Sequence, residues 1–275
     1  MKAVLLYRAK YFFILILFSS ILQSKVYSQS QDNSDKTLRL GVIGLVHDHV
    51  SWVFNRNKED VTIVGIVETN KEAIARYQKR YQLPDSLFFD SYQALYNKTK
   101  PEAVSAFNET KSHLEVVAFF VPKNIPVMVE KPMAISSGEC EAMIASAKKA
   151  GVLLGVNYRL QWEPHHVKAT EIISNDKFGQ ISSGNYEFSW GYARGLQGPN
   201  KDKIKKWLLD PKMAGGGALF DTGVYPIQAA CYLSGRTPSS VRGMSSKVHP
   251  DIFPDGIEET MSYELLFDDG FQAIC

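Results

Sequence analysis

From Leu38 to Val156, short apolar runs alternate with stretches of helical spacing, and that rhythm constrains the chain more than any other feature. Leu38–Gly44, Val61–Val67, Ala103–Phe107, Ile125–Val129 and Val152–Val156 are apolar on both faces, so they read as strands buried on two sides. Between them, His49–Asn57, Asn70–Tyr81 and His113–Phe120 read as helices; Ile74, Tyr77 and Tyr81 mark the inner face of the second. Ser136 with Glu139 three residues on is a capping box, and Gly151 ends the helix that it opens. Repeated β-α units predict an α/β, doubly wound parallel sheet covered by helices. Such sheets bind ligands beyond the carboxyl ends of their strands, where Glu68, Asn108 and Lys131 fall.

After Val156 the rhythm changes. A loop and a helix over Tyr158–Ile173 precede an alternating strand, Ile181–Trp190. A glycine-rich turn leads into a helix over Asp221–Leu233. Longer strands follow at Val241–Val248 and Ile257–Phe267, and Asp268-Asp269-Gly270 turns the last into Phe271–Cys275. Strands joined by hairpins predict a second, α+β domain with a mostly antiparallel open sheet. The expected boundaries are 38–157 and 158–275. The chain stops inside a predicted strand, which leaves an unpaired edge and predicts a truncated second domain.

Lys2, Arg8 and Lys10 precede the apolar run Tyr11–Leu22, which is shorter than the roughly 20 residues a spanning helix needs. With Val26-Tyr27-Ser28 behind it, the segment reads as a secretory signal peptide over 1–28, followed by a linker over 29–37; an uncleaved anchor is the alternative. Cleavage would remove Lys2, Arg8, Lys10 and Lys25 and no acid, leaving 27 of 31 basic residues against 29 acidic ones. That near-neutral balance gives no electrostatic footprint for nucleic acid, so a small molecule or another protein is the expected partner. Cys140, Cys231 and Cys275 have no metal-site spacing, and the first two read as thiols packed on helices.

The turn after the first strand reads Gly44-Leu45-Val46-His47-Asp48-His49. A dinucleotide turn wants glycine at 44, 46 and 49, and only Gly44 is present. In favour of a nucleotide are the strand-turn-helix context and Glu68, 24 positions after Gly44. A carboxylate there accepts hydrogen bonds from a ribose 2′-hydroxyl and repels a 2′-phosphate, which favours NAD over NADP; a solvated strand-end acid is the alternative. His47 and His49, two apart with no fixed third ligand, are poor grounds for a metal site, which stays the alternative; they read as loop residues that meet phosphate or cap the helix.

Lys131 follows the strand Ile125–Val129 in Glu130-Lys131-Pro132. Asp221 and Tyr225 close the run Gly215-Gly216-Gly217-Ala218-Leu219-Phe220-Asp221-Thr222-Gly223-Val224-Tyr225. At i, i+4 the acid and the phenol share one helix face. An ammonium near a phenol lowers its pKa, so Lys131 is expected to make Tyr225 a usable base, with Asp221 orienting substrate or balancing the lysine. The alternatives are a surface Lys-Pro turn, a core tyrosine and a flexible glycine loop.

With Val129-Glu130-Lys131-Pro132, Tyr158-Arg159, Glu163-Pro164 and Trp207-Leu208-Leu209-Asp210-Pro211, these motifs resemble the Gfo/Idh/MocA family of NAD(P)-dependent oxidoreductases from about Leu38 onward. Tyr225 stands where many members carry histidine, which looks like the glucose-fructose oxidoreductase and dihydrodiol (xylose) dehydrogenase branch. The resemblance implies a Rossmann domain, an open sheet domain and a cleft between them. It implies that Gly44, Leu45, Val46, His47, Glu68, Asn108, His113, Glu130 and Lys131 hold the cofactor, with Lys131 and Tyr225 flanking the reacting carbon. It also implies a cis Lys131-Pro132 bond and, in many members, a homo-oligomer.

The expected substrate is a sugar, polyol or related carbonyl. Tyr158, Trp190 and Trp207 are candidates for stacking on it, and Arg159 or His165 for donating to its hydroxyls. An exported member would have to carry bound NAD and cycle it. Two other readings stand beside the oxidoreductase: a glycoside hydrolase that uses NAD without net redox, and a non-catalytic binding protein whose nucleotide turn has decayed.

Overall fold

The structure, a computed structural model, describes residues 37–56, 59–175, 179–189 and 203–275. The chain divides into two units, Met1–Leu38 with Lys58–Thr62, and Arg39–Asn57 with Ile63–Cys275; every side chain of the site belongs to the second. The expected signal segment, Trp190 and Asn57 lie outside the described residues. Among those residues no helix is long and apolar enough to cross a membrane.

The first sheet has six strands, β1 (Leu38–Ile43), β2 (Val61–Val67), β3 (Phe88–Phe89), β4 (Ala103–Ala106), β5 (Val127–Glu130) and β6 (Leu154–Asn157), in the order β3-β2-β1-β4-β5-β6. The pairings of β4 with β1, β5 with β4 and β6 with β5 are parallel, as the apolar runs require. The strand order reverses between β1 and β4, which opens a crevice at their carboxyl ends. Helices α1 (Val50–Phe54), α2 (Lys71–Tyr81), α3 (Tyr92–Thr99), α4 (His113–Phe120) and α5 (Ser137–Ala150) accompany it. Val104, Val127 and Val129 pack with Val116, Val117 and Phe120 of α4 and Met143 of α5. Burial of each such side chain stabilises the fold by about 1.5–3 kcal/mol, and it fixes α4 against the strands that carry the site.

Local signals end the helices where the chain needs to turn. Asn70 Oδ1 accepts from the Glu72 and Ala73 N–H groups at the start of α2. Ser136 Oγ accepts from Glu139 N–H, and Gly151 caps α5 at φ +66°. The capping box is offset by one residue: Glu139 Oε2 accepts from Ile135 N–H rather than from Ser136. Several expectations shift. The first helix is only Val50–Phe54, and the fifth expected strand is Leu154–Asn157. Phe88–Phe89 and α3 were not expected at all; two residues carry no period, although Ser91 does cap α3 through Ala94 N–H.

The second half holds α6 (Pro164–Ser174), β7 (Ser183–Asn185), α7 (Pro211–Ala214), α8 (Val224–Ser234), β8 (Ser240–Ser246), β9 (Thr260–Leu266) and β10 (Gln272–Ile274). The strands form one sheet in the order β7-β10-β9-β8. β9 pairs antiparallel with β8 and β10, and β7 adds parallel to β10. The expected strand over Ile181–Trp190 shrinks to the three residues that find a partner on β10. The three cysteines are free and half-buried.

Candidate active site

Lys131 follows β5 directly, is 5% exposed, and is held by the loop across the cleft. Its Nζ donates to the Asp221 carbonyl at 2.6 Å and to Asp221 Oδ1 at 2.8 Å. The same Nζ stands 5.3 Å from the centre of the Tyr225 ring. The Lys131–Pro132 bond is cis. Asp221 does not sit in a plain α-helix. It belongs to a π-helical turn, Leu219–Gly223, that precedes α8, and that turn places its carbonyl and its carboxylate on one ammonium.

The three glycines before that turn have steric reasons. A β-carbon on Gly217 would lie 2.1 Å from the Glu258 carbonyl oxygen, and one on Gly216 2.6 Å from the Phe220 ring. Gly215 takes φ +89°. Glu258 clamps the turn: its carboxylate accepts from Gly217 N–H at 2.8 Å and Leu219 N–H at 2.7 Å, while its carbonyl accepts from Ala218 N–H. Sequence reading missed Glu258, because 41 residues separate it from Gly217.

One expectation is overturned. Lys131 was to lower the Tyr225 pKa, but burial raises it far above the ordinary phenol value, and the charges of Glu130 and Asp221 raise it further against Arg159. The physical reason is that the ring is buried.

Lys131, Asp221 and Tyr225 line a cavity of about 250 Å³ with Val46, His47, His49, Trp52, Arg159, Phe188 and Trp207. Arg159 and Trp207, two of the substrate candidates, lie on this wall. Tyr158 and His165 are not on this wall: Tyr158 turns back through its N–H on the Val156 carbonyl, and His165 is exposed on α6 against His166. Trp52 was not expected there; it stacks on His49 at 3.9 Å, with the Arg159 guanidinium 4.9 Å from its ring centre. Trp207 Nε1 is buried without a partner.

The first turn lies beside this cavity. Gly44 takes φ +81°, and a β-carbon there would lie 2.6 Å from the Asn108 backbone. Val46, in place of the expected second glycine, is buried and walls both this cavity and a second of about 400 Å³. The second is lined by Gly44, Glu68, Asp90, Asn108, Glu109 and Glu115 among others. Glu68 is firmly engaged: Oε2 accepts from Leu45 N–H at 2.8 Å, and Oε1 from Thr69 and Asn70 N–H. Burial and the Glu68 charge raise the Glu109 pKa. Asn108 Oδ1 is buried with no partner.

Glu130 is completely buried. Parallel pairing sets it beside Asn157, whose Nδ2 donates to Oε1 at 2.6 Å. Its Oε2 lies 2.9 Å from His49 Nδ1 and 3.9 Å from His47 Nε2. The three ligand atoms fall within 4.8 Å of one another. Glu130 thus supplies the third donor beside the two histidines that the sequence did not show, and His47 Nδ1 accepts from His49 N–H. Burial lowers the pKa of His47 well below its ordinary value, helped by His49 and Lys131. His113 is lowered by burial as well; its Nδ1 is 3.1 Å from the Met133 carbonyl, and its Nε2 has no partner.

The model of an oxidoreductase family with an NAD-binding Rossmann fold matches residues 38–158, and the model of the same family's C-terminal domain matches 166–275. The chain belongs to the GFO/IDH/MocA family. Its first domain is therefore an NAD(P)-binding Rossmann domain. Among GFO/IDH/MocA relatives, a D-xylose 1-dehydrogenase [NADP(+)] of Haloarcula marismortui is 24% identical over 76% of this chain and 54% of its own. A D-glucoside 3-dehydrogenase of Escherichia coli is 23% identical over 72% and 54%. The chain spans about half the length of these curated relatives. The crystal structure of an aldose-aldose oxidoreductase from Caulobacter crescentus superposes with a TM-score of 0.71 at 25% identity, over 87% of this chain and 70% of that one.

Proposed function

We propose that this chain acts as an NAD(P)-dependent oxidoreductase on CH–OH groups, moving hydride between a nicotinamide and a sugar, polyol or related carbonyl. One observation carries the reading: the Lys131 ammonium, fixed on Asp221, and the phenol of Tyr225 line one cavity at the end of a Rossmann strand. The relatives support the substrate class, since they are named for xylose, glucosides and aldoses.

The residues fit a dinucleotide. Gly44 gives the turn its approach to Asn108, whose orphaned Oδ1 is a ready acceptor. Val46 packs into the wall and leaves both cavities open, so the missing glycines do not close the site. Gly44, Leu45, Val46 and His47 would hold the cofactor's phosphates, with Glu68 at the ribose. The acidic wall of Glu68, Asp90, Glu109 and Glu115 opposes a 2′-phosphate, so NAD is the preferred form. When bound, the nicotinamide supplies the hydride acceptor.

The chain's own groups work on the reacting oxygen. Lys131 Nζ has a third proton beyond its two bonds to Asp221 and donates it to that oxygen. The Tyr225 hydroxyl donates a second hydrogen bond. Two donors in a low-dielectric cleft stabilise the developing alkoxide. Trp52 and Trp207 offer apolar faces to a sugar ring, and Arg159 a donor.

The decisive experiment is NADH formation by the purified full chain with D-glucose, D-xylose and simple glycosides. Net NADH supports the reading. Glycoside cleavage with no net NADH would replace it with transient-redox hydrolysis, and no nucleotide affinity would leave a binding protein. We also propose export on residues 1–28, supported by Lys2, Arg8, Lys10 and the apolar Tyr11–Leu22. Because free nicotinamide is scarce outside the cytoplasm, the exported chain would retain its NAD between turnovers. Mass spectrometry of the N-terminus from fractionated cells tests this; an intact Met1 in the cytosolic fraction would contradict it.

A further inference from the structure

Three donors converge on the cleft from two distant parts of the chain. His47 and His49 stand two apart on the turn after β1, and Glu130 ends β5, 81 residues beyond His49. Glu130 Oε2 is 2.9 Å from His49 Nδ1 and 3.9 Å from His47 Nε2, and all three atoms lie within 4.8 Å of one another. Among the described residues, no other three histidine, cysteine or carboxylate side chains converge in this way. A zinc-class ion sits about 2.0–2.2 Å from imidazole nitrogen and carboxylate oxygen, which spaces tetrahedral ligand atoms by about 3–3.5 Å. The distances here bracket that spacing, so small side-chain rotations close the set.

The frame around the donors is built. Glu130 is 0% exposed, and parallel register sets it beside Asn157. Asn157 Nδ2 donates to Oε1 at 2.6 Å, so Oε2 faces the histidines as a single-oxygen ligand. Trp52 stacks on the His49 ring at 3.9 Å. The His47 N–H donates to the Phe107 carbonyl at 2.9 Å, which ties the turn to the chain just past β4. A carboxylate shut away from water needs compensating positive charge. Among the described residues the ion pairs of Glu130 are with these two histidines, and the adjacent Lys131 ammonium is committed to Asp221. One bond opposes a metal: His47 Nδ1 accepts from His49 N–H. Metal on Nε2 moves the ring proton to Nδ1 and gives up that bond. At 3.3 Å it is a long one, so little is lost.

We propose that His47 Nε2, His49 Nδ1 and Glu130 Oε2 form a site for one divalent transition-metal ion of the zinc class. Two imidazoles disfavour magnesium and calcium, which take oxygen ligands. Three protein ligands leave a fourth position open. His47 and His49 line the cavity with Lys131, Asp221 and Tyr225, so that position faces the cleft and takes water or an oxygen of the cleft's occupant. The site stands independently of the oxidoreductase reading, since a chain that reduces no NAD can still hold the ion.

The test uses the full chain, purified without a histidine tag, stripped with chelator and dialysed against zinc chloride. Elemental analysis should find one zinc per chain, and zinc should raise the melting temperature. His47→Gln, His49→Gln and Glu130→Gln should each abolish stoichiometric uptake. Asn157→Ala keeps all three ligands but frees Glu130 Oε1, and should weaken affinity by about 10–100-fold. His165→Gln, on the exposed side of α6, should change nothing. Cobalt-loaded wild type needs no variant. It should show the visible bands of a tetrahedral ion with nitrogen and oxygen ligands, and no thiolate charge-transfer band from Cys140, Cys231 or Cys275. A wild type that takes up no zinc, or a cobalt spectrum with thiolate ligation, would overturn the proposal. So would one-to-one zinc binding of wild-type affinity in folded His47→Gln and His49→Gln chains.

Discussion

The two glycine turns of the cleft differ in a way that glycine counting does not show. The turn after β1 keeps one of three expected glycines, yet it is closely packed: Val46 fills the wall and His49 docks on Glu130. The turn before α8 has three glycines in a row, yet it is pinned by Glu258 and crowded by Phe220. In the first, side chains have replaced empty space. In the second, empty space is what lets two backbones meet. Glycine marks close approach only when something does approach, and that something is 41 residues away in sequence.

The largest expected effect tests what the second turn is for. Lys131→Met and Tyr225→Phe should each lower kcat by about 10²–10⁴-fold, with circular dichroism and melting temperature little changed. Next comes the contrast between the turns. Restoring a consensus glycine by Val46→Gly should destabilise the chain by about 1.5–3 kcal/mol, the burial that the valine provides. Gly217→Ala should cost about 1–3 kcal/mol because the Glu258 backbone must move. Urea unfolding of both variants decides the matter; a more stable Val46→Gly would show that the first turn is a decayed nucleotide loop.

Glu258→Gln is smaller and sharper. The amide can accept from only one of Gly217 and Leu219 and turns a donor toward the other, at a cost of about 1–3 kcal/mol. Since the clamp holds the π-helical turn, kcat should fall more than KM changes, and Glu258→Asp should restore part of it. The smallest effect is on pH. His47 and His113 have folded pKa values below the ordinary 6.5. The unfolded chain therefore binds more protons below about pH 6.5, and stability should fall as pH drops through that point. Unfolding free energies at successive pH values check the sign, and His113→Asn should flatten the acid slope.

Much of this was legible in the sequence. Strands buried on two faces, Ser136 as a cap, and Gly151 as a stop all follow from local chemistry, and they place Glu68, Asn108 and Lys131 at strand ends. The i, i+4 spacing brought Asp221 and Tyr225 to one cavity even though the intervening turn is π-helical. What was not legible depends on long-range contact. Glu130 acquires its partners through register with Asn157 and through the turn 81 residues earlier. The direction of the Tyr225 pKa was misjudged because spacing from Lys131 said nothing of how deeply the ring is buried. The helix start at Asp210-Pro211 went unread; Asp210 accepts from Lys212 N–H and opens α7.

The central claim is that Lys131 and Tyr225 act together on a carbinol oxygen. It is tested most directly by nicotinamide absorbance in a single mixing experiment, with wild type, Lys131→Met and Tyr225→Phe each presented with NAD and an aldose. The account predicts NADH from wild type alone, with sugar binding retained in both variants. NADH from either variant at the wild-type rate would contradict it.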